Sequence, residues 1–228
     1  MEKLIYLTWK REPLSIEDYR AHLLDEVSPR IVESGARALN VSVADTQQDI
    51  PKATLLMGDG KTLSAAISVW LDCLDDRGPL ETALREHGAR VDGYLVTESI
   101  PQADPDRDWA DGEPSPGVTH FTWFPRPERL TPEAFYHGWH EVHTPASAKL
   151  HPTRWEYVRN AVARTLTPGS PRVDAIVAER FSIEDYCDPK RLYGSKQALQ
   201  ENVEHLPLYA NLEDLHSTPL SEVIVKSL

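Results

Sequence analysis

The hydrophobic pattern along the chain changes repeatedly between the two-residue period of strands and the three-to-four-residue period of amphipathic helices. In the first half it predicts strands at residues 3–9, 37–44, 65–71 and 91–99, and helices from residue 14 and at 79–87. In the second half it predicts strands at 118–124, 154–165, 175–181 and 222–226, and helices from residue 131 and at 192–205. Each half therefore follows the order β-α-β-β-α-β, the ferredoxin-like arrangement of the α+β class.

A shift of 116 residues superimposes the two halves. It places Leu14 on Leu130, Ser15 on Thr131 and Pro29 on Pro145 without a gap. We interpret this as a tandem duplication. The predicted organisation is an N-terminal repeat at 1–101, a proline-rich acidic linker at 102–116 and a C-terminal repeat at 117–228. Two such sheets in one chain can close into a barrel, whose interior we expect to form a pocket.

The first helix of each repeat has a recognisable start. Ser15 precedes a carboxylate three residues on, the capping-box pattern, and Thr131 precedes Pro132 and an acidic residue. Because proline lacks the amide proton that helices need, the first helix is expected to stop near Pro29. The second helix is expected to run at least to Pro145, with a kinked last turn. The polar stretch 45–61 is predicted to be a loop.

The helix that begins at Thr131 differs from its counterpart on one face. At the spacing of three or four residues that aligns side chains on a helix, the C-terminal copy carries rings where the N-terminal copy carries other residues. The C-terminal residues are Tyr136, Trp139, His140 and His143, at the places of Arg20, Leu23, Leu24 and Val27. We infer that the C-terminal half carries the functional side chains.

Composition narrows the class of protein. The chain has 228 residues, 40% of them hydrophobic, with a formal net charge of −12. Nucleic-acid and anionic-membrane surfaces need clustered basic residues, so neither partner is expected. Cys73 and Cys187 are too few for a disulfide framework and are expected to be reduced. Without an apolar run of signal-peptide or membrane-spanning length, a cytoplasmic location is expected.

The motif Leu130-Thr131-Pro132-Glu133-Ala134-Phe135, followed by Trp139 and by His143-Thr144-Pro145, resembles the helix motif of the EthD domain family. Residues 174–181 and Tyr193 are similar to later parts of that family. The resemblance is good over residues 118–228 and weak over 3–101. It implies a dimeric α+β barrel with a hydrophobic cavity and cofactor-free dehydration, decarboxylation or cyclisation of aromatic or polyketide-like compounds. The superfamily also contains haem proteins and small monooxygenases.

His143 is the first candidate for catalysis, because an imidazole can serve as a general acid or base near neutral pH. The alternative is a histidine that merely bonds a free carbonyl at a helix end. His140 could assist it or orient it. A metal site is disfavoured, since His137 and His143 lie about 120° apart around a helix. No cofactor is therefore expected, although haem held by His143 stays an alternative.

Aromatic and polar residues of the second half are candidates for substrate binding. A tyrosine hydroxyl or a guanidinium could hold a substrate oxygen whose charge grows during reaction. Equally, such rings are often plain core residues, and Asp174 could orient an imidazole or cap a turn. The candidates are Tyr136, Trp139, Tyr157, Arg154, Asn160 and Trp123.

The sequence thus predicts a cofactor-independent lyase or isomerase that acts by acid–base catalysis on a hydrophobic aromatic or polyketide-like metabolite. One alternative is a non-catalytic protein that binds a hydrophobic ligand for a neighbouring enzyme. A further alternative is a haem-dependent enzyme. A homodimer could form through the outer surfaces of the barrel.

Overall fold

The computed structural model describes residues 1–45, 50, 63–104 and 107–228. Most of the loop predicted at 45–61, and two residues of the predicted linker, lie outside this part of the chain. The described residues form eight antiparallel strands that close into one barrel. The strands are β1 (Glu2–Lys10), β2 (Ala38–Val43), β3 (Ala65–Leu71), β4 (Gly88–Gln102), β5 (Val118–Phe124), β6 (Glu156–Thr165), β7 (Ala175–Phe181) and β8 (His216–Lys226).

The barrel consists of two sheets of the same strand order. The first sheet runs 4-1-3-2 and the second 8-5-7-6, and pairing of β2 with β8 and of β4 with β6 joins them. The α+β fold is therefore confirmed, and closure takes place within one chain. The duplication remains an interpretation of the sequence, and the homodimer remains a prediction.

The helices pack on the outside of the barrel. In the N-terminal half, α1 and α2 follow β1 and α3 precedes β4, whereas the C-terminal half carries α4 and α5 after β5 and three further helices after β7. Their bounds are α1 (Ile16–Ala21), α2 (Ser28–Glu33), α3 (Gly78–His87), α4 (Pro132–Tyr136), α5 (Thr144–Leu150), α6 (Ile183–Cys187), α7 (Pro189–Tyr193) and α8 (Lys196–His205).

The helix stop expected near Pro29 was wrong, and the helix expected to run at least to Pro145 continues to Leu150. A π-helical segment joins α1 to α2 at His22–Val27, and another joins α4 to α5 at His137–His143. The residue before each proline, Ser28 or Thr144, directs its amide and its hydroxyl to the carbonyl five residues back. The wider turn shifts the bonding register just before each proline, which has no amide proton to donate, and the chain stays helical to Glu33 and Leu150.

Other boundaries also differ from the prediction. The helix expected at 192–205 is divided by Gly194, whose φ of 68° ends α7 before Ser195 caps α8. Strand β8 begins six residues earlier than expected, because its ladder with β5 accommodates Pro219 opposite His120. The predicted linker also packs on the barrel, where the ring of Trp109 lies 4.7 Å from the guanidinium of Arg180.

Alternate residues of each strand face the barrel interior or the helices. One apolar cluster contains residues from strands of both sheets, including Ile5, Tyr94, Phe121, Ile176 and Leu220, and it fills the interior. Separate clusters lie between each sheet and its helices. Within the described part of the chain, no helix combines the length and apolar composition needed to cross a membrane.

Candidate functional site

A cavity of about 250 Å³ lies in the C-terminal half. It lies between the outer face of β5, β6 and β7 and the helices that cover them, so the expectation of a pocket inside the barrel is corrected. Large apolar side chains from both sheets fill the interior of the barrel instead. The cavity is lined by His120, Thr122, Phe124, Trp139, His143, His151, Tyr157, Val177, Glu179, Phe181, Tyr186, Leu192, Tyr193, Leu199, Asn202, Val203, Leu206, Tyr209, Leu212 and Leu215.

Strands β5 and β7 supply the polar groups on the sheet side. Because side chains alternate along a strand, the even-numbered residues of β5 and the odd-numbered residues of β7 share the helix-facing side. His120 is the cross-strand neighbour of Glu179, and Thr122 that of Val177. The register thus places one imidazole directly beside one carboxylate.

The π-helical segment at His137–His143 supplies the helix side. Trp139 and His143 are both buried and both line the cavity. The Thr144 hydroxyl donates to the Trp139 carbonyl at 2.8 Å and accepts from the guanidinium of Arg159 at 2.9 Å. These bonds fix the turn that presents the indole and the imidazole side by side.

Glu179 is held by a buried ion pair. Its Oε1 lies 2.5 Å from Nη1 of Arg154, whose side chain is only 1% exposed. Arg154 also donates to Ser147 and Gln102, and its guanidinium lies 4.3 Å from the ring centre of Tyr157. Burial alone would raise the pKa of Glu179, but attraction to Arg154 and to nearby imidazoles outweighs it and lowers that pKa to about 2. The carboxylate is therefore ionised.

His143 and His151 each bring a nitrogen without a partner to the cavity. Both side chains are more than nine-tenths buried, and Nδ1 of each makes no hydrogen bond to the described residues. Burial lowers the pKa of His143 to about 4, and burial also lowers the pKa of His151. Both imidazoles are thus neutral at pH 7, and each can accept a proton.

Tyrosine hydroxyls surround these groups. The hydroxyl of Tyr186 lies 2.9 Å from Nδ1 of His120, and Nε2 of that ring lies 3.2 Å from the Thr122 hydroxyl. Burial lowers the pKa of His120 to about 4 and raises the pKa of Tyr193 to about 12. The tyrosines are therefore neutral O–H groups, able to donate to an oxygen in the cavity.

Helix α8 forms the outer wall of the cavity. Its residues Leu199, Asn202 and Val203 line the space, yet no residue of α8 is fully buried, and Val203 is 51% exposed. A wall made of half-covered apolar side chains is where a hydrophobic molecule could enter.

Three of the residues predicted from sequence meet in this cavity. His143, Trp139 and Tyr157 line it, and the indole Nε1 of Trp139 donates to the Tyr157 hydroxyl at 3.3 Å. Arg154 does not line the cavity, but it donates a hydrogen bond to Glu179, which does. Their catalytic and binding roles remain predictions.

The structure places the other predicted residues elsewhere. His140 and Tyr136 pack on each other outside the cavity, with ring centres 5.2 Å apart, and burial, aided by Arg159, lowers the pKa of His140 to about 4. Trp123 lies in the barrel interior, stacked on His216. Asn160 alternates to the same interior side and donates to the carbonyl of Ile176 at 3.3 Å. Asp174 accepts from the backbone amide of Arg126.

Several lining residues were missed. His151 follows the end of α5, and its position depends on a helix that the sequence did not predict to reach Leu150. His120 sits in a strand that otherwise looks like core. The signal that could have found it is alternation, because His120, Thr122 and Phe124 share one face while Phe121 and Trp123 share the other.

The residues around the cavity decide whether it could hold a metal or a haem. Among the described residues, no group of three or more His, Cys, Asp or Glu side chains is arranged to hold a metal ion. The free nitrogen of His143 fits an axial haem ligand. The described lining, however, contains no Lys or Arg to pair with haem propionates, and Glu179 would face them with like charge. These residues therefore do not fit a haem.

Comparison with known proteins agrees with the C-terminal resemblance. Residues 127–211 match the EthD domain family model. That span contains Trp139, His143, His151 and Glu179, so the matched region includes most of the polar cavity lining. No functionally curated protein matches the sequence significantly.

Solved structures share the fold over nearly the whole chain. An anthrone oxidase-like protein matches with a TM-score of 0.64 and 11% identity, over 99% of this chain and 94% of that chain. A variant of chlorite dismutase from Candidatus Nitrospira defluvii matches with a TM-score of 0.53 and 12% identity, over 98% of this chain and 92% of that chain. At these identities the comparisons establish the shared fold alone, an α+β fold with a closed eight-stranded barrel.

Proposed function

We propose that the chain is a cofactor-independent enzyme that transfers a proton on a small hydrophobic molecule bound in the C-terminal cavity. The observation that carries this proposal is the unpartnered, buried Nδ1 of His143 among aromatic side chains. A buried acceptor without a partner is unfavourable in a merely structural role. An enzyme that abstracts a proton needs such a group.

In the proposed reaction, the neutral imidazole of His143 takes a proton from a carbon next to a carbonyl group. The imidazolium formed is stabilised by the carboxylate of Glu179, whose charge already acts on His143. The negative charge moves to the substrate oxygen, where a neutral tyrosine O–H such as that of Tyr157 can donate. Return of the proton to another carbon gives an isomerase. Its delivery to a departing hydroxyl, which leaves as water, gives a dehydratase of the lyase class.

The test uses a carbon acid that fits a small apolar cavity. 2-Tetralone is incubated with the protein in deuterated buffer, and entry of deuterium next to the carbonyl is followed by NMR. The wild-type protein should accelerate exchange, and His143→Ala should lose most of that acceleration, at least roughly a hundredfold. His137→Ala is the matched control, because His137 is an exposed histidine of the same helical segment. Equal exchange by His143→Ala and wild type would refute the assignment.

A protein that only binds hydrophobic ligands gives a different result. It would bind 2-tetralone without accelerating exchange, and His143→Ala would leave exchange unchanged. The exchange measurement therefore separates the enzyme from the carrier, whatever the natural substrate.

A second candidate shares the first step and is favoured by the shared fold with an anthrone oxidase-like protein. A deprotonated anthrone can react directly with O₂ to give anthraquinone and water, so no cofactor is required. Oxygen uptake and quinone absorbance that depend on His143 would support this outcome. Exchange without oxygen uptake would support the lyase or isomerase.

A further inference from the structure

We infer that the cavity selects uncharged, hydroxyl-bearing ring compounds and rejects carboxylates and phosphates of the same size. This inference rests on the proposed function in one respect, that the cavity is the substrate site. It narrows the substrate class beyond hydrophobic molecules in general.

The charge distribution carries the first step. Glu179 is the one formally charged side chain among the described lining residues, and it is an anion. The nearest guanidinium, that of Arg154, is 1% exposed and is already engaged by Glu179, Ser147 and Gln102. An anionic ligand would lose its hydration and meet a carboxylate instead of a cation, which is unfavourable in an apolar space.

The unpartnered imidazole nitrogens carry the second step. His143 and His151 both line the cavity, and Nδ1 of each is buried without a hydrogen-bond partner. A ligand O–H can donate to such a nitrogen, whereas a hydrocarbon leaves both unsatisfied. A hydroxyl group is therefore recognised, and its donation to His151 leaves His143 free for the proposed proton transfer.

The shape of the lining carries the third step. The cavity volume of about 250 Å³ lies just below the range of roughly 300–1,000 Å³ that is usual for drug-sized ligands. Phe124, Trp139, Tyr157 and Phe181 present flat rings around it. The volume and these surfaces suit a small molecule with fused rings.

This selectivity has a consequence for the reaction. A decarboxylase must bind a carboxylate, and the described lining residues include no Lys or Arg to receive one. Among the reactions expected from the sequence, isomerisation and dehydration of neutral compounds are therefore favoured over decarboxylation.

The test compares three bicyclic molecules by isothermal titration calorimetry at pH 7: 1-naphthol, naphthalene and 1-naphthoate. They share the ring system and differ in hydroxyl and charge. 1-Naphthol should bind about tenfold more tightly than naphthalene, as one added hydrogen bond implies, and at least roughly a hundredfold more tightly than 1-naphthoate. Equal or tighter binding of 1-naphthoate, equal binding of naphthalene, or no measurable binding of 1-naphthol would each overturn the inference.

A variant identifies the residue responsible. Glu179→Gln removes the anion and frees Arg154, so binding of 1-naphthoate should tighten at least about tenfold. Glu184→Gln is the matched control, because Glu184 is an exposed glutamate that is paired with the half-exposed Arg191. If Glu179→Gln does not fold, the wild-type comparison still decides.

Failure of this inference differs from failure of the proposed function. The naphthyl series measures equilibrium binding and needs no turnover, while the tetralone experiment measures proton transfer. Preference for 1-naphthol without exchange would keep the ligand class and remove the enzyme. Exchange without a preference for 1-naphthol would keep the enzyme assignment and remove the inferred ligand class.

Discussion

A mainly aliphatic cluster lies between the N-terminal sheet and its helices, whereas a cavity lined by polar and aromatic groups lies between the C-terminal sheet and its helices. On the N-terminal sheet, Leu4 of β1 lies opposite Val69 of β3, and both belong to a mainly aliphatic cluster. At the equivalent register of the C-terminal sheet, His120 lies opposite Glu179. One frame thus carries a packed core in one half and a polar cavity in the other.

The helices repeat this contrast. Val27 and Leu23 are packed in the N-terminal cluster, and the places that correspond to them by the shift of 116 residues hold His143 and Trp139 in the cavity lining. Both halves nevertheless contain the same π-helical turn before a proline. In these helices the difference therefore lies in side chains at a few positions, and α8 of the C-terminal half adds the outer wall of the cavity.

The largest effect is expected from breaking the buried ion pair. Arg154→Met leaves the Glu179 carboxylate uncompensated and should lower the free energy of unfolding by about 3–5 kcal/mol. Adding Glu179→Leu makes the site resemble Val69 of the N-terminal sheet and should restore most of that loss. Urea denaturation at pH 7 measures both.

The surface offers a control for this prediction. Arg172 pairs with Asp174 but is 50% exposed, so Arg172→Met should change stability by less than about 1 kcal/mol. If Arg154→Met were as mild as Arg172→Met, the buried pair would not be a stabilising element of the C-terminal layer.

A smaller effect is expected on the pH dependence of stability, because His143 titrates and Val27, at the corresponding place in the first half, does not. The pKa of His143 is about 4 in the folded protein, below the ordinary value of 6.5. Stability from the neutral ring is therefore complete above pH 6.5 and is lost as pH falls toward 4. At pH 5 this loss is about 2 kcal/mol.

The matching variant is His143→Val, which installs the residue found at position 27. Its stability should fall less than that of wild type between pH 7.5 and pH 5, by about that same amount. His137→Val, at an exposed position, should keep the wild-type slope. Identical slopes for all three proteins in urea denaturation would contradict the assigned burial of His143.

Local pattern was sufficient to predict much of the fold. Strands β3, β5 and β7 have the predicted bounds, because alternation and β-branched residues are local signals. The π-helical turns were missed because the proline rule ignores the preceding residue. The hydroxyls of Ser28 and Thr144 each donate a second hydrogen bond to the carbonyl that accepts the wide-turn amide bond. This bond forms only once the turn itself has formed, so the sequence pattern does not show it.

The site was predicted only in part for a similar reason. His143 was found because its counterpart in the first half is aliphatic. The charge of Glu179 depends on Arg154, which reaches it from 25 residues away in sequence. His151 becomes a lining residue only because α5 passes Pro145. These contacts arise from packing between different helices and strands. The periodicity within a single helix or strand therefore cannot predict them.

The smallest effect compares the two π-helical turns. Ser28→Ala removes one buried hydroxyl bond to the Leu23 carbonyl and should cost about 1 kcal/mol. Thr144→Val removes the equivalent bond to Trp139 and also the acceptor of Arg159 Nη1, in a guanidinium whose Nε already has no partner among the described residues. The Thr144 variant should therefore be the more destabilised, by up to about 1 kcal/mol more, in parallel urea titrations.

Of the two variants, Thr144→Val alone should also weaken 1-naphthol binding, by roughly twofold to fivefold, because Trp139 lines the cavity and Leu23 does not. Equal losses of stability and unchanged binding in both variants would mean that the C-terminal turn supports the fold alone, as its N-terminal counterpart does.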